Sequence, residues 1–310
     1  MEYKKLGITD FAVSRIGFGC WAIGGHGYGV VDDNDSINAV EKALDLGINF
    51  FDTADIYGFG HSERILSKAL GSRRHDVVIA TKFGVCWNEQ GQIYKDISPS
   101  WAVKALEGSL RRLQVDCIPL YQIHWSDGKT PIEATMEVLS RCRDAGKIRY
   151  IGGSNLPLAL IDAARKIDCL ISIQSHFNVA QRQNEDLLRD CFVSRNMGVL
   201  VYGVLARGLF SGKYDSKSQF GENDTRAIDE NFQGEKLKRN LLLVNELQKL
   251  GVFYEKSAAQ IAMRWTLDAP FVTSALVGMK NVDQLVENIG ALGWRLEEGD
   301  CKFLDSFHAH

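Results

Sequence analysis

The chain has 310 residues, is 45% hydrophobic and 24% charged, and carries a formal net charge of −3. This composition is typical of a folded globular protein with a sizeable core, and without a basic surplus it argues against binding to nucleic acid or an anionic membrane surface. No apolar run reaches the roughly 18 residues of a membrane-spanning helix, and no signal-peptide pattern opens the chain, so we expect a cytoplasmic protein. The 7 cysteines include no CxxC pair, so we expect reduced thiols and no metal site.

Strand-like and helical patterns alternate along the chain. Apolar, strand-like runs occur near residues 16–21, 49–54, 77–82, 118–124, 148–154, 171–177, 199–204 and 272–278. Helical patterns follow them near 35–46, 62–71, 99–113, 131–145, 157–167, 184–196, 236–250 with 257–268, and 281–292. Ser98-Pro99 is a typical helix start, and three glycines fall just past helix ends, where a left-handed conformation is expected: Gly47, Gly146 and Gly198. Such a series of strand–helix units predicts an α/β fold, a (β/α)8 TIM barrel forming one domain over residues 1–310, with a doubly wound sheet as the alternative.

Two segments fall outside the repeating units. Residues 3–15 contain Leu6-Gly7-Ile8-Thr9, and we expect them to form a β-hairpin that caps the barrel floor. Residues 211–235 are rich in Gly, Ser, Asp and Asn and are expected to form a long mobile loop after the seventh strand. Because the carboxyl ends of barrel strands form the catalytic face, this loop is either a lid over the site or a plain solvated insertion.

Four polar residues lie at or just beyond the ends of three neighbouring strands: Asp52, Tyr57, Lys82 and His124. A charged group at the end of a buried strand is costly unless it is paired or used. Each residue alone has an ordinary explanation, such as packing, a turn cap, an exposed charge or a core histidine. Together, at the end of a barrel where active sites form, they indicate a proton donor with supporting charges.

The chemistry of this group suits the reduction of a carbonyl. A free tyrosine has a pKa near ~10, and we expect the Lys82 ammonium to lower the pKa of Tyr57. Asp52 would pair with Lys82 and keep it charged, and His124 would hydrogen-bond the substrate carbonyl. Because no side chain supplies hydride, a cofactor must bring it.

Four segments of the sequence resemble the aldo-keto reductase superfamily: Phe51-Asp52-Thr53-Ala54-Asp55-Ile56-Tyr57-Gly58, Thr81-Lys82, Gln122-Ile123-His124-Trp125 and Gly146-Lys147-Ile148-Arg149-Tyr150-Ile151-Gly152-Gly153-Ser154-Asn155. The resemblance extends from Ile16 to Trp294. It implies that the catalytic tetrad falls on Asp52, Tyr57, Lys82 and His124. It also implies a barrel that binds NADP(H) in extended form without a Rossmann domain.

The resemblance also implies a set of cofactor contacts. Ser154 and Asn155, with Gln174 as their partner, would bond the nicotinamide carboxamide, and Tyr202 would stack on the nicotinamide ring. Arg207 and neighbouring backbone groups would meet the pyrophosphate, and Lys280 would meet the 2′-phosphate at the start of a helix. The whole implied set is Trp21, Asp52, Ser154, Asn155, Gln174, Tyr202, Gly203, Val204, Leu205, Ala206, Arg207, Gly208, Lys213, Gly278, Met279, Lys280, Gln284, Glu287 and Asn288.

The sequence departs from its relatives at a few positions. Gly203-Val204 stands where Ser-Pro is usual, and Phe177-Asn178 stands where Tyr-Asn is usual. Gln284 stands near a position that often carries arginine, which leaves NAD(H) open as an alternative to NADP(H). Gly17-x-Gly19-x-x-Ala22 matches a dinucleotide fingerprint, but more glycines follow it and no helix opens there, so we interpret it as a strand end and loop.

Aromatic residues are the candidates for substrate contact. Trp21, Trp87 and Trp125 each follow a strand end close to the tetrad. They would form aromatic walls around a small carbonyl held by Tyr57 and His124. Packing within the barrel is the alternative for each of the three indoles.

Three functions are compatible with these features. The favoured one is an NADP(H)-dependent oxidoreductase that reduces an aldehyde or ketone, including a sugar or polyol-type carbonyl, with Tyr57 as general acid. A potassium-channel β-subunit-like protein that binds NADP(H) and reports redox state is the second, and the lack of a long N-terminal extension or docking segment argues against it. A Schiff-base enzyme using Lys82 is disfavoured, because Asp52 would keep the amine charged. A monomer and a homo-oligomer both fit the sequence.

Overall fold

The computed structural model describes residues 1–25, 31–221 and 224–307. Its strands are β1 (Tyr3–Lys5), β2 (Ala12–Ser14), β3 (Ile16–Gly19), β4 (Phe50–Asp52), β5 (Val78–Phe83), β6 (Val85–Trp87), β7 (Ile93–Lys95), β8 (Ile118–Ile123), β9 (Ile148–Ser154), β10 (Leu170–His176), β11 (Gly198–Tyr202) and β12 (Ser274–Gly278). Its α-helices are α1 (Asp33–Asp45), α2 (His61–Leu70), α3 (Pro99–Leu113), α4 (Ile132–Asp144), α5 (Leu158–Ile167), α6 (Glu185–Val193), α7 (Gly234–Tyr254), α8 (Ala258–Asp268), α9 (Val282–Ile289) and α10 (Glu298–Ser306). Short 3-10 helices span Ala22–Gly24, Gly71–His75, Ala206–Ser211, Thr225–Ile228 and Glu230–Phe232.

The central sheet is a closed parallel barrel. Its strands follow the order β3, β4, β5, β8, β9, β10, β11 and β12, and β12 pairs with β3 to complete the ring. All the barrel pairings are parallel, so the carboxyl ends of the strands meet at one face. The predicted (β/α)8 barrel is therefore confirmed, and the doubly wound alternative is wrong.

Helix boundaries follow from local chemistry. The Ser98 side chain accepts a hydrogen bond from the Trp101 N–H at the start of α3, and Pro99 takes the first helical position, as predicted. Gly146 has φ +77° just after α4, which is the left-handed conformation expected there. The same expectation for Gly198 is wrong, because Asn196 has the positive φ of +51° and Gly198 opens β11. A Cβ on Gly198 would lie 2.3 Å from the Leu6 side chain, so close packing explains this glycine.

The N-terminal hairpin closes the floor of the barrel, as predicted. Strands β1 and β2 pair antiparallel. Leu6 and Val13 are fully buried and pack with barrel-interior residues such as Phe50 and Leu200. The hairpin thus removes the amino-terminal end of the barrel from water, and the opposite end is left to form the site.

Several elements differ from the sequence prediction. The β6–β7 hairpin follows β5 and was not predicted, and neither was α10. The segment 211–235 carries two 3-10 helices, at Thr225–Ile228 and Glu230–Phe232, with Glu222 and Asn223 outside the described residues. The glycines that match a dinucleotide fingerprint lead into the 3-10 helix Ala22–Gly24, and α1 begins only at Asp33. They therefore do not open an α-helix, in agreement with their interpretation as a strand end and loop. Within the described ranges, no helix has the length and apolar character to cross a membrane.

Candidate active site

The four residues of the predicted tetrad meet at the carboxyl end of the barrel. Asp52 ends β4, Lys82 lies near the end of β5, and His124 directly follows β8. Tyr57 lies in the turn between β4 and α2, where its N–H donates to the Ala54 carbonyl at 3.2 Å. Gly58, with φ +59°, is required in this turn, since a Cβ there would lie 2.2 Å from the Gly24 carbonyl oxygen.

Lys82 is the centre of the arrangement. Its Nζ donates to Asp52 Oδ1 at 2.5 Å, to the Thr53 carbonyl at 2.9 Å and to the Tyr57 hydroxyl at 3.3 Å. The side chain is fully buried. Burial lowers the pKa of Lys82, but Asp52 and Tyr57 outweigh it and raise that pKa above its usual value. Lys82 therefore stays a cation, which disfavours the Schiff-base interpretation.

Two glutamines hold the other oxygen of Asp52. Gln174 Nε2 donates to Asp52 Oδ2 at 2.8 Å, and Gln122 Nε2 donates to it at 3.2 Å. Gln174 was expected as the partner of Ser154 and Asn155, and its backbone carbonyl accepts from the Asn155 N–H at 2.9 Å, while its side chain donates to Asp52. Gln122 was not predicted as a site residue. Its signal in the sequence is a polar residue inside an otherwise apolar strand, two positions before His124.

The pKa of Tyr57 shifts opposite to the expectation from the sequence. Burial raises the pKa of Tyr57 to about 12, although the Lys82 ammonium acts to lower it and Asp52 adds to the rise. The expected contact with Lys82 is present, but its effect on the pKa is smaller than that of burial. Tyr57 consequently keeps its proton at neutral pH, as a proton donor must.

His124 lies beside the tyrosine. The two rings meet edge to face, with centroids 5.8 Å apart. Burial, followed by the positive charges of Lys82 and Lys95, holds the pKa of His124 well below its usual value, so the imidazole is neutral. Its Nδ1 is buried and has no hydrogen-bond partner among the residues that the structure describes. A neutral imidazole next to a phenol can donate a hydrogen bond to a carbonyl oxygen placed between them.

The predicted nicotinamide contacts form a second cluster next to the tetrad. The Tyr202 hydroxyl donates to Asn155 Oδ1 at 2.8 Å, and Asn155 Nδ2 donates to Ser154 Oγ at 2.9 Å. Asn155 has φ +56°, so its backbone is held in an uncommon conformation. His176, which sequence reasoning missed, packs edge to face on Tyr202 with centroids 5.4 Å apart. This cluster presents an aromatic ring and amide and hydroxyl groups side by side.

A cavity of about 910 Å³ runs from the tetrad to the start of α9. Of the cofactor residues implied by the family resemblance, its walls include Trp21, Asp52, Ser154, Asn155, Gln174, Tyr202, Gly203, Val204, Leu205, Ala206, Arg207, Gly208, Lys213, Gly278, Lys280, Gln284, Glu287 and Asn288. Met279 is fully buried and is not part of the wall. Trp21 and Trp125 line the cavity as expected, whereas Trp87 does not and lies against Phe59, with centroids 5.5 Å apart.

Arg207 lines this cavity. It has φ +56°, its Nε pairs with Asp229 Oδ2 at 2.7 Å, and its guanidinium lies 5.3 Å from the centroid of the Trp21 ring. Its Nη1 is buried without a hydrogen-bond partner among the described residues. A buried guanidinium N–H without a partner is costly. The Arg207 side chain is 29% exposed, so its accessible part can contact an anion in the cavity.

Among the described residues, no group of three His, Cys, Asp or Glu side chains is arranged to hold a metal ion.

Comparisons with known proteins agree with this geometry. The model of the Aldo/keto reductase family matches residues 15–309. Aldo-keto reductase YhdN of Bacillus subtilis (strain 168) is 40% identical over 309 residues, covering 99% of this chain and 93% of the relative. The solved structure of the glycerol dehydrogenase AKR11B4 from Gluconobacter oxydans superposes with a TM-score of 0.92 at 36% identity, covering 99% of this chain and 95% of that one.

The names of two further relatives specify a nicotinamide cofactor. Aldo-keto reductase yakc [NADP(+)] of Schizosaccharomyces pombe (strain 972 / ATCC 24843) is 34% identical, with 96% of this chain and 89% of the relative covered. The NADH-specific methylglyoxal reductase of Escherichia coli (strain K12) is 32% identical, with 98% of this chain and 97% of the relative covered. Both nicotinamide cofactors therefore occur among proteins similar to this chain.

Proposed function

Because this chain belongs to the aldo/keto reductase family, we propose that it is an NADP(H)-dependent oxidoreductase that reduces an aldehyde or ketone to the alcohol. The observation that carries the proposal is the buried chain of contacts from Asp52 through Lys82 to the Tyr57 hydroxyl, with neutral His124 beside it. This arrangement opens into the large cavity. Tyr57 is the general acid in this proposal.

The cavity fits an extended dinucleotide in three respects. Tyr202 offers a ring, with Asn155 and Ser154 beside it, for a nicotinamide and its carboxamide. Arg207 lines the cavity with its side chain 29% exposed, and it offers a cation to a pyrophosphate. Lys280 lies at the far end, immediately before the residue that caps α9. Bound NADPH would supply the hydride.

The chain's own residues handle the proton and the substrate. Tyr57 and His124 would hold the carbonyl oxygen between a phenol and a neutral imidazole, which polarises the carbonyl. Tyr57 would then give its proton to that oxygen. Lys82 stabilises the tyrosinate that is left, and Asp52 keeps Lys82 in position through the 2.5 Å contact. The reverse reaction would use the same groups, with tyrosinate as the base.

The mouth of the cavity favours a sugar or polyol-type carbonyl among the possible substrates. Trp21 and Trp125 line it with 36% and 38% of their surface exposed, so part of each indole can contact a ligand. Exposed indole surface can pack on the C–H groups of a polyol, while His124 and Tyr57 offer polar contacts. One of the similar structures is that of a glycerol dehydrogenase.

Replacing Tyr57 with phenylalanine tests the proposal. We expect reduction of an aldehyde and sugar panel, followed by the loss of NADPH absorbance, to fall at least about 100-fold, because general acid catalysis contributes about that much. Binding of NADP⁺, measured by calorimetry, should be retained. Tyr94→Phe is the matched control, since this tyrosine is 44% exposed on β7 and is not part of the cavity wall.

The outcomes separate the candidate functions. Wild-type turnover in the Tyr57→Phe variant would exclude Tyr57 as the acid. If the wild-type protein binds NADP(H) but reduces no carbonyl of the panel, a redox-sensing regulatory role like that of potassium-channel β subunits would replace the enzymatic proposal.

A further inference from the structure

The β6–β7 hairpin forms part of the cavity wall at the end that holds the tetrad, called here the substrate end. Val85 and Ile93, one from each strand of the hairpin, line the cavity. Lys95 pairs directly with Val85 across the hairpin and lies two positions after Ile93 on the same strand. Residues paired across an antiparallel hairpin share a face, and so do residues two apart on one strand. The side chain of Lys95 therefore lies on the face of the hairpin that is turned towards the cavity.

Aromatic contacts on the two faces of the hairpin agree with this orientation. On the face away from the cavity, Tyr94 packs against Trp101 of α3, with ring centroids 6.4 Å apart. On the face towards the cavity, Lys95 Nζ lies 4.6 Å from the centroid of the Trp125 ring. Trp125 lines the cavity and directly follows the tetrad histidine in the chain. The Lys95 ammonium is thus held over an aromatic ring at the rim of the substrate end.

The charge of Lys95 acts on the reacting end of the site. After burial, the positive charges of Lys82 and Lys95 are what lower the pKa of His124. The charge of Lys82 is countered by Asp52, whose Oδ1 lies 2.5 Å from the Lys82 Nζ. Lys95, in contrast, has no ion pair or hydrogen bond through its ammonium within the described part of the chain. It therefore supplies a positive charge that the protein itself does not neutralise by direct contact.

Two acidic residues of the adjoining segments are occupied with other groups. Asp96 Oδ1 accepts a hydrogen bond from a backbone N–H at 2.8 Å, and Asp127 Oδ1 accepts two backbone N–H groups at 2.9 Å each. Neither carboxylate lines the cavity. The ammonium of Lys95 is therefore available to an anionic group of a ligand that lies against the Trp125 ring.

We propose that Lys95 is a specificity-determining residue that favours carbonyl substrates with an anionic group, a carboxylate or a phosphate monoester, over neutral ones. The inference rests on the proposed function and narrows its substrate class to acidic aldehydes or ketones. The carbonyl oxygen would lie between Tyr57 and His124, and the anionic group would lie against the ammonium beside Trp125. Because a lysine is a point charge on a flexible stem, it can follow anionic groups of different shape and distance.

The test measures kcat/KM for two matched pairs of aldehydes, followed by the loss of NADPH absorbance. One pair is succinic semialdehyde and its methyl ester, and the other is the phosphate monoester of glyceraldehyde and glyceraldehyde itself, so the pairs separate carboxylate from phosphate. The wild-type protein should prefer the anionic member of at least one pair. Lys95→Met keeps the apolar stem and should reduce that preference about fivefold, which corresponds to ~1 kcal/mol for an exposed ion pair. Lys95→Glu should reduce it further, because attraction becomes repulsion.

Three controls separate charge from packing. Lys104→Met removes another lysine that lies over an indole, with its Nζ 5.1 Å from the Trp101 centroid, but it does not line the cavity and should leave the preference unchanged. Lys95→Arg keeps the charge and should keep the preference. Rising ionic strength should weaken the preference of the wild-type protein and have little effect on that of Lys95→Met, because salt screens an exposed charge.

The outcomes distinguish the two proposals. A wild-type protein that reduces the neutral aldehydes without preferring either anionic one would overturn the inference and leave the proposed function in place. A Lys95→Met variant that keeps the wild-type preference, or that loses activity equally on both members of a pair, would also overturn it, since equal losses indicate a packing role. A wild-type protein that reduces no member of either pair would count against the proposed function, and the inference would fail with it.

Discussion

Replacing Lys82 with methionine tests the electrostatics of the site most directly. Asp52 is 4% exposed, and Lys82 is the only cation bonded to it among the described residues. Removing one partner of a buried ion pair leaves an uncompensated charge and costs about 3–5 kcal/mol. For a chain of 310 residues, an unfolding entropy of about 2.1 cal/mol/K per residue converts this to a fall of roughly 5–8 °C in Tm.

A double variant isolates the charge from the packing. Asp52→Asn combined with Lys82→Met contains no buried charge at this position, and Gln174 and Gln122 can still donate to the carbonyl oxygen of the substituted amide side chain. We expect the double variant to recover about 2 kcal/mol or more of the loss in Lys82→Met. Thermal and urea unfolding followed by circular dichroism measure both values. Lys238→Met is the matched control, because Lys238 is 69% exposed and its pair with Glu235 contributes little.

Two results would refute this reasoning. One is a Lys82→Met protein as stable as Lys238→Met. The other is a double variant whose loss equals the sum of the two single losses, since additive effects mean that the two residues do not interact. Carbonyl reduction should fall by about 100-fold or more in Lys82→Met as well, because the tyrosinate would lose its cation.

Two further predictions concern the titration of the site and the packing behind Tyr202. The rate of carbonyl reduction should be independent of pH between about 6 and 9, because Tyr57 and Lys82, with raised pKa values, stay protonated and His124, with a lowered pKa, stays neutral. Alcohol oxidation should accelerate with rising pH, because it needs the tyrosinate. A loss of reduction rate near the usual histidine pKa of about 6.5 would contradict this prediction. Gly203→Ala should weaken NADP⁺ binding and destabilise the fold by about 1–3 kcal/mol, because Gly203 has φ +71° and a Cβ there would lie 2.4 Å from His176 Nε2. Gly128→Ala, with the same φ of +71° and open space around it, measures the backbone strain alone, and equal losses in the two variants would show that the contact with His176 is unimportant.

The barrel and its tetrad could be predicted from the sequence because each rests on a short-range pattern. A buried parallel strand is an apolar run, and the residue at its end needs no long-range information to be recognised. Asp52, Lys82 and His124 lie at three such ends, so the closure of the barrel brings them together. The hairpin over residues 3–15 was predictable for a related reason, since Gly7 supplies the turn with φ +54°.

The unpredicted elements lack such patterns. Strand β7 has the sequence Ile-Tyr-Lys and is exposed at all three positions. Because neither face of the strand is buried, its sequence lacks the alternation of apolar and polar residues that identifies a half-buried strand. The role of Gln122 depends on the inward direction of its side chain in a closed barrel. Lys213 and Lys280 were expected at the cofactor site, but Arg226 was not, and its place on the same cavity wall depends on how the loop after β11 folds.

The pKa of Tyr57 shows why proximity of charges is an insufficient argument for a buried site. The Lys82 ammonium lies 3.3 Å from the phenol, yet Asp52 lies 2.5 Å from that ammonium and acts on the pKa of Tyr57 in the opposite direction. Burial is the largest contribution to that pKa and favours the protonated form. In the proposed mechanism the same pair would still stabilise the tyrosinate formed by proton transfer, because Lys82 is the nearer charge. The proposed site would therefore hold the Tyr57 proton before the reaction and stabilise the tyrosinate after it, with Lys82 acting in both steps.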